Sequence, residues 1–204
     1  MSNEQPNPVV DSKTLFWNRV QLIMILAVFI APIAGAYFYT PKSFNNYGDI
    51  YSPVRQVENL QMNGENGPVE LDSFRRKWIF LVTANTQCEQ ACEDNLLKIR
   101  QLRFMQNNDM LRIRPVFLHT QLPVEVAADL AAKYSPIESY SASFNDYDEW
   151  IRVLRIEGAP KEAQENRFYI IDPAGNLMMS YPATADPNMI KKDIKRLLKA
   201  SQIG

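Results

Sequence analysis

The sequence predicts an α/β protein, with a central mixed sheet flanked by helices and one transmembrane helix ahead of it. Three observations lead there. From residue 69 to 204, short apolar runs of strand length alternate with segments of helical period, which calls for a sheet with helices packed on it. Near the end, two strands flank the tight turn Asp172-Pro173-Ala174-Gly175, so the sheet contains an antiparallel pair. Between Val20 and Tyr39 only Gln21 is strongly polar, a stretch as long as the ~20 apolar residues that cross a bilayer as a helix.

Composition narrows the function classes. The 204 residues carry a formal net charge of −1, without the basic excess of a nucleic-acid binder, so no nucleic-acid partner is expected. The length suits one domain plus an extension. Two cysteines are too few for a disulfide scaffold. A single histidine excludes any site built on two or more His ligands.

Residues 1–14 form a short polar N-terminal tail. The transmembrane helix covers 15–39. Trp17 precedes the apolar run and Tyr37 and Tyr39 close it, as interfacial aromatics do, and a membrane helix tolerates Pro32. Ala34-Gly35-Ala36 offers a small-residue cleavage site, but the run exceeds the roughly 7–15 apolar residues of a secretory signal. It reads as an uncleaved anchor in the lipid bilayer. Lys13 and Arg19 flank one end and Lys42 and Arg55 follow the other, a weak charge bias. The short N-terminal arm predicts a cytoplasmic N-terminus with the large C-terminal part carried across.

Residues 40–68 are turn-rich and read as a linker, with one short strand near Val54 to Leu60. The domain then spans 69–204. Val69 to Phe74 alternates apolar with polar, as an edge strand does. Residues 77–84 form the first core strand. A helix runs from the cysteines to about residue 106, with Leu96, Ile99, Leu102 and Met105 on one face. Leu111 to Leu118 is a second strand with Pro115 as its weak point. Pro123 to Tyr134 is a helix opened by proline. Tyr147 to Ile156 is another, capped by Asn145 or Asp146. Arg167 to Ile171 and Asn176 to Tyr181 are the late strands. Met189 to Ala200 closes the chain as a helix with a solvated basic face at Lys191, Lys192, Lys195 and Arg196. Trp78, Phe80, Phe104 and Trp150 belong to the core. The order is β-α-β-α-α-β-β-α.

The chemistry lies between the first core strand and its helix. After the polar turn Thr83 to Gln87 comes Cys88-Glu89-Gln90-Ala91-Cys92. Both thiols stand at the carboxyl edge of the sheet, where α/β folds place their sites. A helix N-terminus presents free N–H groups and partial positive charge, which favours the thiolate, the nucleophilic and metal-binding form. Glu89, Glu93 and Asp94 oppose that effect. Residues four apart on a helix have Cβ atoms about 5–6 Å apart, whereas a disulfide wants about 3.5–4.5 Å. Cys88 is therefore placed just outside the helix, or the first turn is distorted. Two thiolates also suit soft Cu(I), so the spacing leaves disulfide chemistry and metal binding both open. No cofactor is required by the pair itself. In an exchange reaction Cys88, nearer the loop, would attack and Cys92 would resolve. For a third metal ligand the candidates are His119, Met178 and Met179. His119 otherwise reads as an ordinary surface or loop residue, and one methionine of the pair as core.

The strand into T-A-N-T-Q-C-E-Q-A-C, the spacing Cys88-x-x-x-Cys92, the late F-Y-I-I-D-P-A-G turn and the single anchor resemble the Sco/SenC group of cytochrome oxidase assembly proteins, in the thioredoxin-like superfamily, over about residues 69–202. The resemblance implies a thioredoxin-like fold, tethered to a bacterial-type inner membrane and facing the periplasm. It implies copper bound by the two cysteines and a distal histidine, and in some members thiol–disulfide reduction. The implied partner is a cytochrome c oxidase subunit or another copper or assembly protein. Aligning Ile171 to Gly175 with the family's turn puts Gln164 where the distal histidine would stand, and Glu89, Gln90 and Ala91 replace the family's prolines. Three functions follow. One is a Sco-like assembly factor working through copper handling or thiol chemistry. Another is a thiol–disulfide oxidoreductase acting on a periplasmic partner's cysteines. The third is a non-catalytic partner-binding domain with a structural disulfide.

Overall fold

The structure, a computed structural model, describes residues 12–38, 46–57, 60–64, 67–74, 76–160 and 167–201. Residues 1–11 of the polar tail, residues 40–45 of the linker, and Gln164 lie outside the described residues. The chain forms two compact units, residues 1–45 and 46–204.

The first unit contains α1, Ser12–Phe38. Its Leu15–Tyr37 stretch is long and apolar enough to cross a membrane. Leu22, Met24, Val28, Phe29 and Ile33 are all exposed, so the helix is apolar around its whole circumference. That is the signature of a span whose solvent is lipid. It is a single-pass membrane anchor.

The second unit is built on one eight-stranded mixed sheet. Its strands are β1 (Asp49–Gln56), β2 (Gln61–Gly64), β3 (Gly67–Glu70), β4 (Trp78–Ala84), β5 (Ile113–His119), β6 (Glu138–Ser141), β7 (Arg167–Ile171) and β8 (Asn176–Pro182). The strand order is β1-β8-β7-β4-β5-β6-β2-β3. The β4/β5 and β5/β6 pairs are parallel and the others antiparallel. The helices are α2 (Gln90–Phe104), α3 (Val124–Lys133), α4 (Phe144–Leu154) and α5 (Pro187–Ala200).

Why β4 reads as a continuous apolar run is now visible. Trp78, Phe80, Val82 and Ala84 enter one core with Leu96, Ile99 and Leu102 of α2 and Ile190, Ile194 and Leu198 of α5. Ile79 and Leu81 enter a second core with Tyr147, Trp150 and Leu154 of α4. A strand covered on both faces has no polar side.

Several readings of the sequence need correction. The segment read as a linker carries β1, β2 and the first half of β3. These outer strands bury few side chains, such as Tyr51 and Met62, so their apolar signal is sparse. Residues 69–74 are not one strand: β3 ends at Glu70 and a 3₁₀ turn, Leu71–Phe74, drops Phe74 into the core. A strand absent from the sequence reading, β6, has the polar sequence E-S-Y-S and is held by parallel pairing to β5. The residues before Ile113 form a 3₁₀ turn rather than strand. Pro115 sits in an interior strand, but the β5/β6 pairing begins only at Val116. The proline falls where one flank of the ladder is open. Ser143, not Asn145 or Asp146, caps α4, its Oγ accepting from Asp146 N at 3.2 Å. Met105 and Phe104 are exposed because α2 ends there, and Arg100 and Arg103 lie over the Phe104 ring at 5.4 and 5.7 Å.

The turn after β7 follows its sequence. Asp172 Oδ1 accepts from Ala174 N and Asn176 N, and Gly175 takes φ +82°, a conformation glycine adopts without Cβ strain.

Candidate functional site at the cysteine pair

β4 ends at Ala84, and residues 85–89 lead into α2, whose N-cap is Glu89. Cys88 therefore precedes the helix and Cys92 lies in its first turn. They form a disulfide with Cα atoms 5.2 Å apart. The regular-helix separation is relieved because Cys88 stands outside the helix, the first of the two geometries the spacing allowed. Cys88 is half-buried, whereas Cys92 is only 4% exposed and belongs to the core that includes Leu96 and Val82. The two residues are thus unequal in exposure.

Beside the pair opens a cleft of about 830 Å³. Its walls include Thr83, Asn85, Gln87 and Cys92 on one side, and Tyr147, Ile151 and Arg155 of the α4 segment on the other. Tyr147 is buried, and desolvation pushes its phenol up, opposed by a hydrogen bond with Thr83. The cleft is lined by both polar and apolar side chains, as ligand pockets are.

The acids around the helix start are not all free to oppose a thiolate. Glu93 accepts from the Lys133 ammonium and from the Tyr134 hydroxyl. Those two bonds hold its carboxyl below the usual carboxylate range, Lys133 contributing most. Asp94 accepts from Gln90 Nε2 at 2.7 Å. Glu89 makes no side-chain cap bond to the helix. The sequence shows three acids around the thiols, and the fold supplies Lys133, forty residues on, to neutralise one of them.

The third-ligand candidates are buried or packed on the core. Met179 is core, with the Tyr181 hydroxyl 3.1 Å from its sulfur, and Met178 packs on the same cluster. His119 is 6% exposed, not a surface or loop residue, and pairs in register with Ala84. Its ring lies 5.5 Å from that of Phe117, and its Nδ1 has no hydrogen-bond partner among the described residues. Among the described residues no three His, Cys, Asp or Glu groups converge as a metal-binding cluster. The donor set that fits soft Cu(I) is the two sulfurs of the reduced pair, and the three-ligand centre implied by the resemblance does not fit the described residues.

Burial alone pushes the His119 imidazole below its ordinary value of 6.5. As pH falls below 6.5 the unfolded chain takes up a proton that the folded chain resists, so stability is full above 6.5 and declines below it. The decline stops at the lower folded value, and its slope cannot exceed about 1.4 kcal/mol per pH unit. His119→Leu removes this slope and the unpartnered nitrogen together. Urea unfolding at pH 7.5 and 5.5 should show a smaller acid loss in the variant, and an identical loss would assign the slope to other groups.

Residues 78–201 match the family described as "Transmembrane-like, thioredoxin-like, C-terminal domain". No curated protein matches the chain. Among solved structures, apo Sco1 from Thermus thermophilus superposes with a TM-score of 0.59 at 18% identity, over 78% of this chain and 99% of that one. Copper-bound ScoI from Arabidopsis thaliana gives 0.57 at 15% identity, over 76% and 99%. BsSco, described as a member of the Sco family of cytochrome c oxidase assembly proteins with a disulfide switch, gives 0.55 at 16% identity, over 76% and 98%. At these identities the likeness shows the fold, which is thioredoxin-like.

Proposed function

The chain belongs to the family of transmembrane-like, thioredoxin-like C-terminal domains, and from that premise we propose that it is a membrane-anchored, Sco-like factor assisting the assembly of respiratory cytochrome c oxidase. It acts through Cys88 and Cys92, from a bacterial-type inner membrane, with its N-terminus cytoplasmic and its folded unit periplasmic. The observation that carries the reading is the Cys88–Cys92 disulfide at the start of α2, with Cys88 half-buried and Cys92 buried in the wall of an open cleft. An oxidising compartment sustains such a bond.

The chemistry is thiol–disulfide exchange. A dithiol reductant of the same compartment first opens the Cys88–Cys92 bond. The Cys88 thiolate then attacks one sulfur of a disulfide in the partner, an oxidase subunit or another copper or assembly protein. A Cys88–partner bond forms, and the partner's other sulfur leaves as a thiolate and takes up a proton. The Cys92 thiolate attacks Cys88 Sγ, the intramolecular bond closes, and the second partner sulfur leaves. Two electrons pass to the partner, whose cysteines are left as the thiols that soft metals require. The greater exposure of Cys88 supports it as the attacking thiol. The helix N-terminus favours its thiolate, and pairing with Lys133 weakens the opposing charge of Glu93. When Cu(I) is carried, the same two sulfurs are its donors.

Two measurements test this. Cells lacking the chain should recover oxidase activity with the wild type and fail to with Cys88→Ser/Cys92→Ser. Full recovery with the double variant would leave the pair a structural role only. A Cu(I) titration of the reduced chain against a chromophoric chelator, with the double variant alongside, separates the two uses of the pair. Cysteine-dependent stoichiometric binding adds copper handling, and its absence leaves exchange as the sole chemistry.

A further inference from the structure

The outer face of α5 carries a charge distribution that neither the fold nor the exchange reaction uses. The helix buries Ile190, Asp193, Ile194 and Leu198 and turns Lys191, Lys192, Lys195, Arg196 and Lys199 to solvent. Asp193 is the only acid within its bounds, and it is 1% exposed. It meets Arg196 Nη1 at 3.5 Å through one oxygen and is otherwise committed inward. At the C-terminal end Arg112 adds a guanidinium, donating to the Leu198 and Ser201 carbonyls and paired with Asp109 at 3.1 Å. In a chain of net charge −1, a helix face this basic is a local concentration of charge.

The second observation is where the chain arrives from the anchor. Tyr47 N and Gly48 N donate to Asp193 Oδ2 at 2.7 and 3.3 Å. The Lys192 ammonium lies 5.9 Å from the centre of the Tyr47 ring, which is itself half exposed. Tyr47 and Gly48, near the start of the folded unit, are therefore fastened to α5. Between Phe38, where α1 ends, and Tyr47 the chain can stretch at most about 30 Å. An exposed tyrosine among lysines has the amphipathic character of residues that settle at headgroup level.

We propose that the outer face of α5, with Tyr47, docks on the anionic phospholipid headgroups of the bilayer that holds α1. The contact is electrostatic and surface-level, each cation being drawn to an anionic leaflet over roughly a Debye length of about 8 Å at physiological salt. It fixes which side of the folded unit faces the membrane. The inference is independent of the exchange chemistry.

The test uses the full chain in nanodiscs of phosphatidylcholine alone or phosphatidylcholine with phosphatidylglycerol. Amine-reactive labelling, read by mass spectrometry, reports Lys191, Lys192, Lys195 and Lys199, with Lys133 as internal reference. In the anionic discs labelling of the four should fall at least about threefold and recover in 1 M salt, where the Debye length is about 3 Å. The variant Lys191→Glu/Lys195→Glu/Lys199→Glu changes only exposed positions. With an unchanged thermal melt, it should label at Lys192 equally in both discs. Equal labelling of the wild type in both discs would overturn the proposal. So would protection that persists in neutral discs, or protection that appears only when an acidic partner protein is added.

Discussion

Replacing Cys92 by alanine will turn the chain into a trap for its partner. With Cys92 gone, the Cys88 thiolate can still open a partner disulfide, but no second sulfur is placed to release the product. The mixed disulfide should accumulate in cells and survive on non-reducing gels, at least about tenfold more abundant than with Cys88→Ala. The asymmetry follows from the fold. Cys88 stands ahead of α2 and is half-buried, while Cys92 is packed in the core and 4% exposed. Cys88 is the more exposed of the two residues, so a lone Cys88 should meet a partner disulfide more readily than a lone Cys92. Equal adduct yields from the two variants would overturn the order of attack, and no adduct from either would remove exchange as the mechanism. The trapped species also identifies the partner directly.

The largest loss of stability is expected from Trp150→Ala. Trp150 is fully buried at the centre of the α4 core, among Tyr147, Leu154 and the side chains of Ile79 and Leu81. Its Nε1 donates to the Gln61 carbonyl at 3.1 Å, tying α4 to β2. Truncation removes the contacts and leaves a cavity, costing about 3–5 kcal/mol. The unpaired Gln61 carbonyl adds about 1 kcal/mol or more. A domain with the usual 5–15 kcal/mol of stability loses a large share of it. Urea unfolding should show a lower midpoint at unchanged slope. Trp150→Phe, which keeps a ring but not the donor, should lose less than Trp150→Ala. Equal losses would assign the whole effect to the missing hydrogen bond.

How much of this was legible in the sequence depends on burial. β4, α2 and the β7–turn–β8 unit were readable because their apolar runs are dense or their turn residues specific. The location of the cysteines at a strand-to-helix junction followed from that pattern alone. β1, β2 and β6 were missed because each buries only one or two residues and owes its place to pairing with strands far along the chain. Asp49 faces Ser180, and Asn63 faces Ser141, and no local period encodes either match. The state of the acids near the thiols was equally hidden, since Glu93 finds Lys133 only after α2 and α3 are in place. His119 illustrates the limit most sharply. A polar residue at the end of an apolar strand looks like an emerging loop, yet its neighbour across the ladder is Ala84, small enough to leave it indoors.

The Asp193 clasp determines how the folded unit bears load. A membrane-tethered body is tugged whenever its partner or the bilayer moves, and the tug enters along the peptide that leaves the anchor. That pull reaches the Tyr47 and Gly48 amides before it reaches β1, and both are anchored on a carboxylate of α5. The last helix of the fold therefore acts as the strain relief for its first strand. Arg167, paired with Asp49 and donating to Ser180 Oγ, forms a second stop just behind it. Peeling at the β1/β8 seam must break this part-buried polar fastening before the first ladder bond yields.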